Sequence, residues 1–245
     1  MNNGLKLTYI SLAAVMFIVI CIIVAGCIST NQGNPTPNTP TPAEVRAIAK
    51  EAYIYGFPMV DNYRIERYLR TAFERIEELG GEIVVFGSGG SRAVPEGFPM
   101  DEARSQLVEF VTLAGQIAGK HGITIVVEPL HDCNIINTVI EGLDIVRAAD
   151  HPFVKVLADL YHMDEQNEPV SDILAAGENL AHTHTADTGR LHPGSGSYPH
   201  AEFFAALRDI GYEGRVSVEC KFLDWDTEPR KALEFLRSMD AATRA

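Results

Sequence analysis

The sequence predicts an α/β fold in which a parallel sheet of about five strands is covered by helices. Three observations carry this expectation. From about Glu66 to the C-terminus, short β-branched runs alternate with amphipathic helical segments. The runs are nearly continuous in apolar residues, as strands buried on both faces must be. Each of the last four runs ends in an acidic residue or a histidine, at intervals of 31, 25 and 35 residues. One βα unit of an eight-unit barrel of ordinary size takes roughly 31 residues.

The chain has 245 residues, 46% of them hydrophobic, a length that suits one α/β barrel or two smaller domains. Part of the apolar content belongs to a leader. Lys6 is the one positive side chain before an apolar run from Ile10 to Ala25, which closes on Val24-Ala25-Gly26-Cys27. Small residues before a cysteine at the end of such a run resemble a lipobox. Residues 1–27 are therefore expected to form a lipoprotein signal peptide, cleaved before Cys27 and lipidated on it. The alternative is an uncleaved signal-anchor helix, since the run approaches the ~18 to 20 residues that span a bilayer. Either way the remainder is expected outside the cytoplasmic membrane and anchored to it. Residues 28–42 alternate Pro with small polar residues and read as an extended linker. In residues 43–65, Val45, Ile48, Ala49, Ala52 and Tyr53 fall at helical spacing before Gly56 and Pro58 are expected to break the helix. The stretch EAYIYGFPMVDNYR there resembles the start of a secreted family of unknown function, a match too short to imply an activity.

Residues 66–245 carry the alternation. ERYLRTAFERIEELGG reads as a helix closed by Gly80-Gly81, and EIVVFGSGG as a strand ending in a tight turn. Asp101 opens a helix to Lys120 with Leu107, Phe110, Val111, Ala114 and Ile117 on one face, and His121-Gly122 ends it. ITIVVE is the next strand. A helix from Thr138 to Ala149 follows, with Asn137 expected to cap it and Asn134 to shape the strand ends. The strand VKVLAD, a helix near Val170 to Ala176, and the strand NLAHTH continue the pattern. A helix from Ala201 to Ile210, the strand RVSVE and a helix from Pro229 to Met239 complete it.

Glu128, Asp159, His184 and Glu219 each close one of the last four strands. In a β/α barrel the C-terminal ends of neighbouring strands converge on one mouth, where active sites are built. A lone carboxylate at a strand end is more often a cap or an ion-pair partner, but four ligand-type residues in register point elsewhere. Three carboxylates at one mouth repel and raise each other's pKa unless a cation neutralises them. Oxygen donors with one imidazole favour Mn²⁺, Mg²⁺ or Co²⁺, with Zn²⁺ as a further candidate. The net charge of −13 argues against nucleic acid or polyphosphate, which need a basic face, and for a small neutral or weakly charged substrate. Cys21, Cys27, Cys133 and Cys220 form no zinc-finger or disulfide framework. His182 is expected in the core on the strand face opposite His184, and His131, His151, His192 and His200 are read as loop residues without a ligand role.

The motifs VVFGSGG, GITIVVEPL, CNIINT, LADLYHM, LAHTHTADTGR and GYEGRVSVEC together resemble the xylose isomerase-like sugar phosphate isomerase/epimerase superfamily, an eight-stranded TIM barrel. The resemblance runs from about Glu66 to Met239 and starts at the helix before the family's fourth strand. It therefore implies a partial (β/α)8 barrel of about five βα units behind the N-terminal signal/anchor helix. It implies Glu128, Asp159, His184 and Glu219 as metal ligands, and His162 and Arg190 as contacts to substrate oxygens. The implied activity is metal-dependent isomerisation or epimerisation of a small sugar or hydroxy-ketone. Glu128 and Glu219 would remove and return a proton beside a carbonyl, through an enediolate. The alternative is a non-catalytic, surface-anchored lipoprotein or binding module that keeps the partial barrel as scaffold. A related metal-dependent DNA-repair endonuclease is a third class, disfavoured by the acidic charge. A homodimer would be one way to cover the open wall of such a barrel.

Overall fold

The computed structural model describes residues 41–243. The leader, Cys27 and most of the Pro-rich linker lie outside the described residues. Among the described residues no helix is long and apolar enough to cross a membrane.

In chain order the elements are α1 (Pro42–Glu78), β1 (Ile83–Phe86), α2 (Gly89–Arg92), α3 (Met100–Ala118), β2 (Thr124–Val127), α4 (Val139–Ala149), β3 (Val154–Asp159), α5 (Leu160–Glu165), α6 (Asp172–Ala176), β4 (Leu180–Thr185), α7 (His200–Asp209), β5 (Val216–Val218) and α8 (Glu228–Ala242). The five strands form one sheet in the order β1-β2-β3-β4-β5, with every neighbouring pair parallel. Sequential strands that neighbour one another through helical crossovers are what the βα alternation predicts. The result is an open, half-barrel sheet with its helices on one side.

Alternate residues of each strand face the helices. Val127, Val154, Val156, Ala158 and Leu180 pack there against α4, α6 and α7 through Ile145, Val146, Ile173 and Phe203. A smaller cluster joins Ile123 and Ile125 to Ala114, Ile117 and Ala118 of α3 and Phe73 of α1. The α3 face read from sequence is therefore the buried one. α3 is followed by a single 3-10 turn and stopped at Gly122, whose φ of 67° is left-handed and costs a glycine little. The remaining residues of the strands point to the inner face. Ile83 and Val85 of the edge strand β1 lie 36% and 38% exposed there, whereas Val126 and Leu157, in the middle of the sheet, are fully covered.

Two local expectations are corrected. The predicted break at Gly56 and Pro58 is absent, because α1 runs unbroken for 37 residues. Proline removes one hydrogen bond from a helix interior, so a helix can bend there without ending. The chain divides into two units between Phe57 and Pro58. The cap of α4 is Thr138, whose side chain accepts from the Glu141 backbone N–H at 3.2 Å, while Glu141 accepts from the Asn137 N–H at 2.7 Å. Thr138 thus caps the helix, and Glu141 reaches back to the residue before the cap. The Asn137 side chain instead donates to the carbonyls of Leu130 and Cys133 and closes the loop after β2.

Candidate metal centre

Parallel pairing places the C-terminal ends of β2 to β5 side by side, and the four ligand-type residues lie at those ends. Glu128 follows β2, its N–H bonded to the Phe86 carbonyl at 3.2 Å. A Cβ on Gly87 would collide with the Glu128 carboxylate, so the absence of a side chain at Gly87 gives that carboxylate its place. Asp159 ends β3 and also caps α5, its Oδ1 accepting from the Tyr161 N–H at 2.9 Å. His184 is in β4. Glu219 follows β5, its N–H donating to the Thr185 carbonyl at 3.0 Å.

The side chains converge. His184 Nδ1 lies 2.6 Å from Glu219 Oε2, 2.9 Å from Glu128 Oε1 and 3.8 Å from Asp159 Oδ2. One donor atom from each of the four falls within 4.8 Å of all the others. Burial works against the His184 imidazolium, but Asp159, Glu128 and Glu219 outweigh it and push the ring up to about 11. The hydrogen bond to His184 holds Glu219 down to about 2. Glu128 moves the other way, raised by burial despite His184 beside it. The imidazolium thus stands as a positive charge among three carboxylates, with the Arg190 guanidinium paired to Glu219 beside it. Asp159 Oδ2, however, is buried and has no hydrogen-bond donor. A buried carboxylate oxygen without a hydrogen bond is costly, and a divalent cation would satisfy it. Three oxygen donors and one nitrogen donor fit a divalent ion.

The two residues expected to contact substrate flank the group. His162 is 5% exposed in α5, with Nε2 3.9 Å from Asp159 Oδ2. Arg190 pairs with Glu219, and its guanidinium lies over the Tyr161 ring at 4.9 Å. It holds a left-handed φ of 61° beside Gly189 at 73°, a strained turn of the kind found at functional sites. His182 is on the same face as His184, not the opposite one. Residues two apart in a strand share a face, and the rings meet edge-on at 5.2 Å. It is nonetheless a buried residue, its Nε2 2.9 Å from Ser217 Oγ. His200 begins α7, buried with its ring nitrogens against the carbonyls of Tyr198 and Ala186, and is no loop residue.

Three residues that support the site carry no signal legible in one sequence. Arg92 is 5% exposed and donates to the carbonyls of Phe86 and Glu128 at 3.1 and 2.6 Å, tying β1 to β2 at the mouth. Asp187 accepts from the backbone N–H groups of Thr188, Gly194 and Tyr198 and shapes the loop that carries Arg190. His131, read as a loop residue, forms a second group with Asp132 and His162.

The family described as xylose isomerase-like TIM barrel matches residues 55–239. The chain belongs to this family. Among curated members it is 38% identical to the D-psicose 3-epimerase of Ruminiclostridium cellulolyticum over 115 residues, 46% of this chain and 39% of the relative. To the L-ribulose 3-epimerase of Methylomonas sp. it is 31% identical over 160 residues, 63% of this chain and 55% of the relative. The chain thus spans about half the length of these relatives. Among solved members, a D-psicose 3-epimerase with D-tagatose from Clostridium cellulolyticum H10 superposes with a TM-score of 0.66. It is 26% identical, over 73% of this chain and 71% of that one. A D-allulose 3-epimerase from Methylomonas sp. gives a TM-score of 0.64 at 27% identity, over 71% and 68%.

Proposed function

We propose that the protein is a divalent-metal-dependent sugar isomerase or epimerase that abstracts a proton beside the carbonyl of a keto-sugar or hydroxy-ketone. The observation that carries this reading is the convergence of Glu128, Asp159, His184 and Glu219 around a point where Asp159 Oδ2 has no donor. The activities for which the relatives are named, 3-epimerisation of psicose and of ribulose, support the substrate class. A divalent cation held by these four residues supplies positive charge against the negative charge that develops on the substrate oxygen.

The chain's own residues do the rest. Glu219 takes the proton from one face of the carbon, and Glu128 returns one to the other face. Return to the same carbon gives an epimer, and return to its neighbour gives an aldose–ketose isomer. His162 and Arg190 hold substrate oxygens and limit rotation. The test is incubation with Mn²⁺ and a panel of ketoses in D2O. Deuterium should enter the carbon next to the carbonyl together with the epimer, and Glu219→Gln should slow this by about 10²-fold or more. Absence of exchange with every ketose would sink the enzyme reading.

The second reading, a non-catalytic surface-anchored lipoprotein or binding module, is favoured by the open inner face at Ile83 and Val85. The same exchange experiment separates the two. Anchoring is proposed on the sequence alone, through lipidation of Cys27. In a lipoprotein-processing host the chain should partition into membranes and Cys27→Ser should stay unprocessed. Unchanged cleavage of that variant refutes it.

A further inference from the structure

We infer that His131 is a positioning residue that fixes the tautomer of His162, so that His162 presents an Nε2–H donor to a substrate oxygen. The inference rests on the sugar isomerase/epimerase reading of the site for its substrate, and on geometry alone for the tautomer. The backbone N–H of His131 lies 3.3 Å from Nδ1 of His162. An amide N–H can only donate, so that Nδ1 holds a lone pair. The same Nδ1 is 2.7 Å from Nδ1 of His131. Two bare ring nitrogens do not approach so closely, so His131 carries its proton on Nδ1 and donates as well. A neutral imidazole that accepts at Nδ1 has its own proton on Nε2, so the donors around the ring define the tautomer.

Nε2 is the nitrogen on the metal-centre side. It stands 3.9 Å from Asp159 Oδ2, beyond hydrogen-bonding distance, so its N–H is free for an oxygen entering the mouth. A donor there stabilises a carbonyl or hydroxyl oxygen as negative charge develops, whereas a bare nitrogen would repel it. His131 is itself held. Gln166 Nε2 donates to its carbonyl at 3.0 Å, and its ring packs edge-on against Tyr161 at 5.3 Å. The ring of Tyr161 also meets His162 at 5.1 Å and lies under Arg190. His131 therefore belongs to the packed group that presents both expected substrate contacts.

The experiment is long-range proton–nitrogen correlation of the imidazole groups in the ¹⁵N-histidine-labelled full chain, with His162 assigned by its loss in His162→Gln. The wild type should show a bare Nδ1 and a protonated Nε2 on His162. His131→Ala keeps the longer backbone donor but removes the shorter ring donor, so the share of this tautomer should fall and the other should appear, with kcat down about 10- to 100-fold, the range seen when an orienting hydrogen bond behind an active-site group is lost, and KM nearly unchanged. His131→Gln, which keeps a side-chain donor, should restore much of both signals. An Nδ1–H pattern on wild-type His162, or a pattern unmoved in His131→Ala, overturns the inference. So does a second Zn²⁺ ion per chain whose binding is abolished by His131→Ala, which would make His131, Asp132 and His162 a cation site instead. If the wild type shows the expected tautomer but exchanges no substrate proton, the epimerase reading fails and the tautomer assignment stands.

Discussion

His184 is the residue on which the protonation state of the whole site turns. With its ring pushed up to about 11 by the surrounding carboxylates, it is fully protonated through the neutral range in the metal-free protein. A ring nitrogen binds a cation only after losing its proton. Cation uptake at about pH 7 to 9 should therefore release about one proton, and apparent affinity should rise about tenfold per pH unit. Calorimetric titration in buffers of different ionisation enthalpy measures this directly, and a pH-independent affinity would remove His184 from the ligand set. Gly87 offers a complementary test. In Gly87→Ala the new methyl displaces the Glu128 carboxylate, so cation affinity should fall by tenfold or more, as for disturbed ligand orientation generally. Gly90→Ala, which meets nothing within 4 Å, should bind like the wild type. Unequal effects on affinity with equal thermal midpoints would confirm that the difference lies in the ligand and not in the fold.

At the scale of elements, the C-terminal part of α1 behaves as a component of the barrel. Phe73 is 2% exposed and packs against α3 and β2. Phe73→Ala should cost about 3–5 kcal/mol, the usual range for deleting a buried ring, read as a fall in denaturation midpoint. A loss under 1 kcal/mol would detach α1 from the core. Much of this layer was legible from sequence, because strands such as Val154–Asp159 are short apolar runs that end where a polar ligand begins, and α3 carries its buried face at helical spacing. What was not legible has physical causes. Gly56 and Pro58 signal a break that a long helix absorbs. The register shift between β3 and β4, where Val156 faces Leu180 but Leu157 faces His182, depends on the partner strand and leaves no trace in composition. The convergence of Glu128, Asp159, His184 and Glu219 was legible because strand ends recur at the βα period. Arg92, Asp187 and His131 were not, since each acts through contacts to backbone or ring atoms distant in sequence.

At the scale of the molecule, five parallel strands set the four candidate ligands along one open mouth, and the remaining inner face at β1 is exposed. The site joins residues from four separate strands, so an ion held there ties the sheet together. Because the ion binds the folded state alone, saturating it at about 100 times Kd should add about 2.7 kcal/mol of stability. A chelator should reverse the gain, and Glu219→Gln should blunt it. A thermal midpoint indifferent to divalent ions would place any binding outside the folded site. The most direct measurement is anomalous diffraction from Mn²⁺-loaded crystals of the full chain. The account requires one ion with Glu128, Asp159 and Glu219 oxygens and a His184 ring nitrogen within about 2.0 to 2.6 Å. A map without a peak among these four side chains, or with the manganese held by other residues, would contradict it.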